Sequence, residues 1–580
     1  CCAMYLIRLM SCRILTLQIS PEGRIMDRFC DIKDRNELAD FLKIPRSKPS
    51  YLLFIEGIDK QYHTFEIPKK HGGTRTICAP SEDLKGIQRR LVSALSAYRK
   101  ALLMEQNFHP SISHGFEKGK STITNAKLHR NKRFVLNLDL EDFFPTFHFG
   151  RVLGYFEKNR DFQFPHEVAV TIAQLTCYQG RLPQGAPTSP VIANLIFQIL
   201  DMRILKIAQT YRLDYTRYAD DLTFSTNDRS FLEHYERFLK SVTAELGRGG
   251  FAVNQKKTRL QFRDSRQEVT GLVVNQKIHV SQEYYKQTRA MAHHLYTQGS
   301  CMLNGTPMPL AQLEGRFSYI DQLERYNNRI DGAKHSANVL NARERQYQAF
   351  LFYKYFFANE KPLILTEGKT DILYLRAAMK ALQKDYPKLI TVDKDGGVSF
   401  HISFFRRSKR WQYFFGMSPD GADAMKTIYQ YFVSGRNTPN YMSYFSNLCG
   451  HPPRHPVVFL YDNETVSDRP LKTFLKKEGK TIDRVRLQAD LYAQLLPKSN
   501  LYLLTNPLVS GKAECEIEDL FDAKTLGHTI NGRSFSRADD YDKEKTYGKD
   551  LFSKYVLANF RTIDFSNFRP LLDALNALNS

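Results

Sequence analysis

The stretch Phe134-Val-Leu-Asn-Leu-Asp139-Leu-Glu-Asp142-Phe-Phe144 runs from an apolar strand straight into acids and aromatics. An acid at the end of a hydrophobic strand is held rigidly beside whatever cleft the strand borders. Far along the chain, Tyr218-Ala-Asp220-Asp221 sits at the tip of a hairpin predicted over Tyr215 to Ser225. Acids so distant in sequence meet only if their strands are neighbours. Carboxylates forced together repel one another unless divalent cations neutralise them. Magnesium is the expected ion, two of them about 4 Å apart, as in-line phosphoryl chemistry requires. Either acidic patch alone is weak, because an Asp-Asp pair is usually a solvated turn; the pair of patches is what carries the signal.

Outward from these acids, 580 residues exclude a single small module, and 42% hydrophobic content with 40 Phe and 31 Tyr excludes wholesale disorder. With 83 Lys+Arg against 61 Asp+Glu, the net charge of +22 suits a polyanion such as nucleic acid, although a basic protein without such a partner has the same composition. Nine scattered cysteines without a CxxC pair indicate a reduced, cytoplasmic compartment and no structural zinc. The opening run from Tyr5 is broken by Arg8 and Arg13, too short and too charged for a membrane span. Met26 is taken as the natural start, and residues 1–25 as an upstream extension; no membrane partner is expected.

The pattern from Leu52 to Cys78 predicts strand, turn and strand, with the basic hairpin Pro68-Lys-Lys-His-Gly-Gly-Thr-Arg-Thr-Ile. Helical periodicity follows over Leu84 to Leu103 and Val191 to Gln209, and several helices rich in Arg, Tyr and Lys over Glu283 to Phe357. After Lys361-Pro362 the texture becomes strand, helix, strand. Leu363-Ile-Leu-Thr and Val457-Val-Phe-Leu are continuous apolar runs of the kind found in parallel sheets, so a boundary is placed near residue 360.

Between the acidic patches lies Leu182-Pro-Gln184-Gly185; after them come Asn254-Gln-Lys-Lys257-Thr258 and Thr270-Gly271-Leu. In order and content, residues 45 to 280 resemble the reverse transcriptases. The resemblance implies Asp139, Asp220 and Asp221 as the metal set, with Asp142 a surface or supporting acid. Phe144 would exclude a 2′-hydroxyl, so deoxynucleoside triphosphates are the expected substrates. Lys70 and Arg75 would clamp the triphosphate, Gln184 would position the nucleotide, and Lys257 would protonate the leaving pyrophosphate. Arg217 stays without a role.

Asn125-Ala-Lys-Leu-His129 and Val269-Thr270-Gly271 resemble signatures of the retron reverse transcriptases in particular. The resemblance implies RNA binding by Asn125, His129, Val269, Thr270 and Gly271. It also implies a cognate structured non-coding RNA as partner, and a branched product primed from a guanosine 2′-hydroxyl. In the thumb, Tyr284, Tyr285, Lys286, Arg289, His293 and His294 mix rings with cations, as RNA stems require; Tyr285 and Arg289 are the favoured contacts. Template removal would fall to a host RNase H, and a homo-oligomer stays open.

Further on, Leu363-Ile-Leu-Thr-Glu367-Gly368-Lys-Thr-Asp371, Val457-Val-Phe-Leu-Tyr-Asp462-Asn-Glu464 and Glu516-Ile-Glu518-Asp519 put acids at strand ends. This resembles the Toprim fold of topoisomerases, primases and related nucleases. It implies Glu367, Asp371, Asp462, Glu464 and Glu518 as a site for Mg2+ or Mn2+. The usual Asp-x-Asp is Asp-Asn-Glu here, which changes one ligand's length. Lys545 and Lys549 are read as surface lysines. The expected fold is α/β and α+β multidomain: a right-hand polymerase with fingers and ferredoxin-like palm (26–280) and helical thumb (281–360), then a Toprim-like α/β domain (361–530) with a C-terminal tail packed on it (531–580). The expected function is a retron polymerase with a nuclease effector in anti-phage defence. A group II intron or other defence reverse transcriptase, with an inert nucleic-acid-binding C-terminal scaffold, is the competing reading.

Overall fold

The computed structural model describes residues 29, 31–68, 72–106, 112–303, 305–419, 421–435, 437–509, 511–538 and 540–579. Lys70 and the expected extension 1–25 with its start at Met26 lie outside them. The chain divides into two compact units, meeting at Ser281 and Gln282.

In the first unit, β1 (Tyr62–Pro68) and β2 (Thr74–Pro80) form an antiparallel hairpin with Tyr62 opposite Pro80. The strand expected to begin at Leu52 is instead a wide helical turn over Tyr51–Gly57, continuing a short helix at Ser47–Ser50. Only Leu52 of this turn is buried, and Gly57 closes it at φ 83, a conformation a side chain would strain. Helix α1 (Glu82–Glu105) starts on Ser81, whose Oγ accepts from Leu84 N.

Next come α2 (Thr122–Leu128), β3 (Phe134–Asp139), α3 (Phe149–Lys158), α4 (His166–Thr176), α5 (Thr188–Thr210), β4 (Asp214–Tyr218), β5 (Asp221–Thr226), α6 (Phe231–Arg248) and β6 (Arg259–Phe262). The antiparallel sheet runs β4-β5-β3-β6. Its alternation is clean. Leu136, Leu138, Leu222 and Phe224 join a core that includes Phe197 and Ile204 of α5 and Phe238 and Val242 of α6. Asn137, Thr223 and Ser225 lie at the intervening positions, where Thr223 Oγ1 donates to Asn137 Oδ1 (3.1 Å). Two further strands, β7 (Glu268–Val269) and β8 (Leu272–Val273), form a tight hairpin.

The second unit opens with α7 (Gln282–Gln298), α8 (Leu310–Ile330) and α9 (Ala342–Phe352). A five-stranded sheet follows, built from β10 (Leu363–Thr366), β11 (Ser403–Phe404), β12 (Val457–Tyr461), β13 (Tyr492–Gln494) and β14 (Leu501–Thr505) in the order β11-β10-β12-β14-β13. All neighbours are parallel except the edge strand β13. The central strands are buried on both faces, which is why they read as unbroken apolar runs. Leu363, Leu365, Val457 and Phe459 pack with Phe317, Phe350 and Phe356 of the preceding helices and with Trp411 and Phe414 of α10 (Lys409–Phe415). Ile364, Val458, Leu460 and Leu504 pack on the other face with Tyr374, Phe552 and Leu572. Residues 282–357 and the sheet thus share one core. Among the described residues no helix is long and apolar enough to cross a membrane.

Candidate functional site

Strand register brings the three polymerase acids to one place. Asp139, last in β3, is the cross-strand partner of Asp221, first in β5, and Leu140 N donates to the carbonyl of Asp220 (3.1 Å). The turn between the hairpin strands holds Ala219 at φ 55. Crowding marks the electrostatics. Burial, then the neighbouring Asp220 and Asp139 charges, push Asp221 up to about 7; Asp220 is also raised, chiefly by burial. Lys257 and Arg75 oppose that rise, which puts Arg75 within electrostatic reach of the acids.

Lys257 does more than stand nearby: its Nζ lies 3.0 and 2.9 Å from the two oxygens of Asp139. Among the described residues no three His, Cys, Asp or Glu side chains converge as a finished metal cage. The donor set nevertheless fits a hard divalent ion: crowded carboxylates, of which Asp220 and Asp221 have raised proton affinity while Asp139 holds an ammonium. Asp142 is exposed at φ 44 and stands apart.

Around the acids, Phe144 is half-buried, with ring centroids 5.3 Å from Phe143 and 6.5 Å from the exposed Phe116. The Gln184 carbonyl accepts from Cys78 N in β2 (2.7 Å). Gly185 follows at φ 121, where a Cβ would come 2.8 Å from Ile77 Cγ2 and 2.9 Å from the Cys78 carbonyl. The Pro-Gln-Gly turn is therefore pinned to the basic hairpin by a contact only glycine permits.

Arg217, without a role in the sequence, proves to be a buried clamp. Its guanidinium makes bidentate bonds to Asp201 (2.8–3.2 Å) and donates to Asn194 Oδ1 (3.1 Å) and to the carbonyl of Ala219 (3.0 Å). Arg217 thus fixes the turn that aims Asp220. Nothing in the local sequence pairs it with Asp201 on α5.

The signature residues Asn125, His129 and Val269 are buried, so their side chains do not present a surface to RNA. His129 bridges Ser225 Oγ and Thr216 Oγ1, both at 2.7 Å, and burial lowers it to about 3, so it is neutral. Thr270 (φ 48) and Gly271 (φ 78) form the two-residue turn of the β7–β8 hairpin, and both positive φ angles match the turn type such hairpins favour. Thr270 Oγ1 reaches the carbonyl of Thr122 (3.5 Å), at the start of the helix that carries Asn125; only Gly271 of the five is exposed. On α7, Tyr285 lies between Arg289 (5.8 Å) and Arg343 (5.1 Å), and Arg289 is exposed beside Lys286 and His293.

The five C-terminal acids also gather. Asp462 N donates to Glu367 Oε1 (3.0 Å), Gly368 N to Asp371 Oδ2 (2.8 Å), and Asn506 and Ile517 N to Asp462 Oδ1 (2.7 and 2.9 Å). Burial above all raises Glu367, Asp371, Asp462, Glu464 and Glu518. Asn463 turns inward to the Asn506 carbonyl (2.7 Å), and Glu464 pairs with Arg469 (3.5 Å). Lys549 corrects a sequence expectation: it is half-buried, 3.2 Å from Glu518 and 3.4 Å from Glu516. It opens α11 (Lys549–Ala558), which packs against the sheet through Phe552.

With this geometry in hand, residues 67–283 match the family model for reverse transcriptase (RNA-dependent DNA polymerase). The chain is 36% identical over 269 residues to the retron Ec86 reverse transcriptase of Escherichia coli, covering 45% of this chain and 78% of that one. It is 36% identical over 282 residues to the retron Mx65 reverse transcriptase of Myxococcus xanthus, where the match spans 46% of this chain and 62% of that enzyme. Among solved structures, a telomerase from Candida albicans in complex with telomeric RNA aligns over 54% of this chain and 65% of that one, at 11% identity and a TM-score of 0.29, a distant likeness.

Proposed function

The chain belongs to the retron reverse transcriptases, and from that premise we propose that it is an RNA-directed DNA polymerase with a second, metal-dependent site in its C-terminal unit. The observation that carries the reading is the β3–β5 register, which sets Asp139 opposite Asp221 with Asp220 bonded beside them. Asp139, Asp220 and Asp221 would hold two magnesium ions. Bound there, such ions supply an activated hydroxyl and a neutralised leaving pyrophosphate. The chain's own residues do the rest. Arg75 draws the triphosphate toward the cleft, the pinned Gln184–Gly185 turn supports the nucleotide, and the Phe144 ring fills the space a 2′-hydroxyl would need. Lys257, already at the cleft, is placed to give a proton to the departing phosphate once Asp139 releases it.

The partner in this reading is a cognate structured RNA, gripped by the Tyr285–Arg289–Arg343 stack and the exposed face of α7. Synthesis starts from a guanosine 2′-hydroxyl and leaves branched DNA on the RNA. Residues 26–280 are fingers and palm, and 281–360 the thumb. The parallel sheet with acids at strand ends is a Toprim-like domain over 361–530, with 531–580 packed on it. Glu367, Asp371, Asp462 and Glu518 would hold Mg2+ or Mn2+ there for a nuclease effector in anti-phage defence. Sequencing the nucleic acid that copurifies with the full chain tests the polymerase reading: branched DNA on a short RNA is expected, and its absence together with no primer extension would overturn it.

A further inference from the structure

Phe116 is an exposed ring on a strained backbone. The residue is 58% exposed, and its φ of 59 lies where a bulky side chain is strained and glycine is not. The ring stands outside the core of the first unit, so packing does not account for it. Among the described residues the aromatic ring it meets is Phe144, at 6.5 Å between centroids and 62° between planes.

The strain is held from both sides. Ahead of Phe116, Arg217 N donates to the Ile112 carbonyl and His114 N to the Arg217 carbonyl, both at 2.8 Å, which lays this segment along β4. Gly115 then lies against the turn that carries Asp220, so closely that a Cβ would come 2.7 Å from Ala219 N. Its carbonyl accepts from Nδ2 of the buried Asn194 (2.9 Å). Behind Phe116, Glu117 accepts from the Arg99 guanidinium and from the same Asn194 amide (3.4 Å). A sparsely populated conformation persists only where its surroundings over-determine it, and such positions gather at functional sites. What the anchors over-determine here is the place of one ring beside Phe144.

We propose that Phe116 is a positioning residue for sugar discrimination: its ring braces Phe144, so that Phe144 cannot turn aside when a ribonucleotide enters. The inference rests on the reading of Phe144 as the residue that excludes a 2′-hydroxyl. Phe144 is half-buried, and Phe143, a core ring, supports it from within at 5.3 Å and 69°. Support from one side leaves a rotamer change open, and a hydroxyl needs the room of a single oxygen. Phe116 meets Phe144 from the solvent side, near the edge-to-face geometry that aromatic pairs prefer, and closes that escape. The anchoring to Ala219 ties the brace to the turn that aims Asp220, so gate and metal acids share one frame.

The test is single-nucleotide extension of a primer on an RNA template by the full chain, read as the ratio of kcat/KM for a ribonucleotide to that for the matching deoxynucleotide. The ratio compares two substrates on the same molecules, so a partly unfolded fraction cancels. Phe116→Ala should raise it about 3- to 10-fold, the size of one aromatic pair's coupling. Phe116→Tyr keeps the ring and should keep the parent's ratio. Because the brace acts through Phe144, adding Phe116→Ala to Phe144→Ala should change nothing further. A parent-like ratio in Phe116→Ala, a loss in Phe116→Tyr equal to that in Phe116→Ala, or a further rise in the double variant overturns the brace and leaves the gate standing. A parent-like ratio in Phe144→Ala overturns gate and brace together.

Discussion

Lys257 holds Asp139: one ammonium lies within 3.0 Å of both oxygens of the carboxylate that β3 delivers to the cleft. A metal ion at Asp139 competes with that ammonium for the same carboxylate. The pair is open to solvent on the lysine side, so its strength is that of a surface ion pair, about 0.2–1 kcal/mol. Lys257→Met should therefore lower the magnesium concentration for half-maximal extension by roughly 2- to 5-fold. At saturating magnesium the same variant should be slower, by about 10²-fold if the lysine is the proton donor. Extension assays across a magnesium series separate the two effects, and an unchanged metal requirement would count against the competition.

The crowded acids set a pH dependence with a definite sign. Asp221 is raised to about 7 from a carboxylate's ordinary value near 4, so the folded, metal-free protein binds a proton there that the unfolded chain has released. Between those values stability falls as pH rises, and the contribution is lost once pH passes about 7. A divalent ion held by these acids would offset the penalty. Its stabilising shift in melting temperature should be larger at pH 8 than at pH 6, and extension below pH 7 should need more magnesium. Equal shifts at the two pH values would show that these acids do not bind the ion.

How much of this was legible in the chain follows from range. The strand at Phe134–Asp139, the hairpin across Tyr218 to Asp221 and the long helix over Thr188–Thr210 are written in local periodicity, and the structure has all three. The double-sided burial of Leu363–Thr366 and Val457–Tyr461 is likewise visible as unbroken apolar runs. What local pattern cannot carry is which face meets which. Asn125 and His129 share a helix face, but only the sheet's position turns that face inward. Lys549 looks like any surface lysine until α11 docks beside Glu516 and Glu518. Arg217 finds Asp201 across two elements.

That last pair makes a test of positioning. Arg217→Met strands Asp201 in the interior and should destabilise the first unit by about 3–5 kcal/mol. Adding Asp201→Leu removes the orphaned charge and should return most of the stability in denaturant melts. Activity should stay low in the double variant, because the Ala219 carbonyl still lacks its donor and the turn bearing Asp220 is no longer held. Recovery of extension along with stability would reduce Arg217 to a packing role.

Phe144 offers a test on substrate choice. Phe144→Ala should open the space beside the nucleotide sugar and raise ribonucleotide incorporation relative to deoxynucleotide by roughly 10- to 100-fold. Stability should change little, since the ring is only half-buried. Competition between the two nucleotide types in one extension reaction measures the ratio directly; a ratio unchanged from the parent would remove Phe144 from discrimination.

The C-terminal acids make the opposite demand on stability from an ordinary ion-pair network. Glu367, Asp371, Asp462 and Glu518 are all raised by burial; Lys549 is bonded to Glu518 and Glu516, and the Arg407 charge opposes the rise at Glu367. Neutralising one acid should then relieve repulsion: Glu367→Gln should melt higher than the parent when metal is absent, most clearly at pH 8, where the carboxyls are pressed to ionise. Manganese should invert the order. In a chain whose polymerase acids are disabled by Asp139→Asn with Asp220→Asn, manganese should raise the melting temperature by several degrees, about 2–4 °C per kcal/mol of binding in a unit of this size, and Glu367→Gln should abolish the rise. A manganese shift that survives Glu367→Gln, or a variant that melts lower without metal, would mean that these carboxylates are held by hydrogen bonds alone and do not form an ion site.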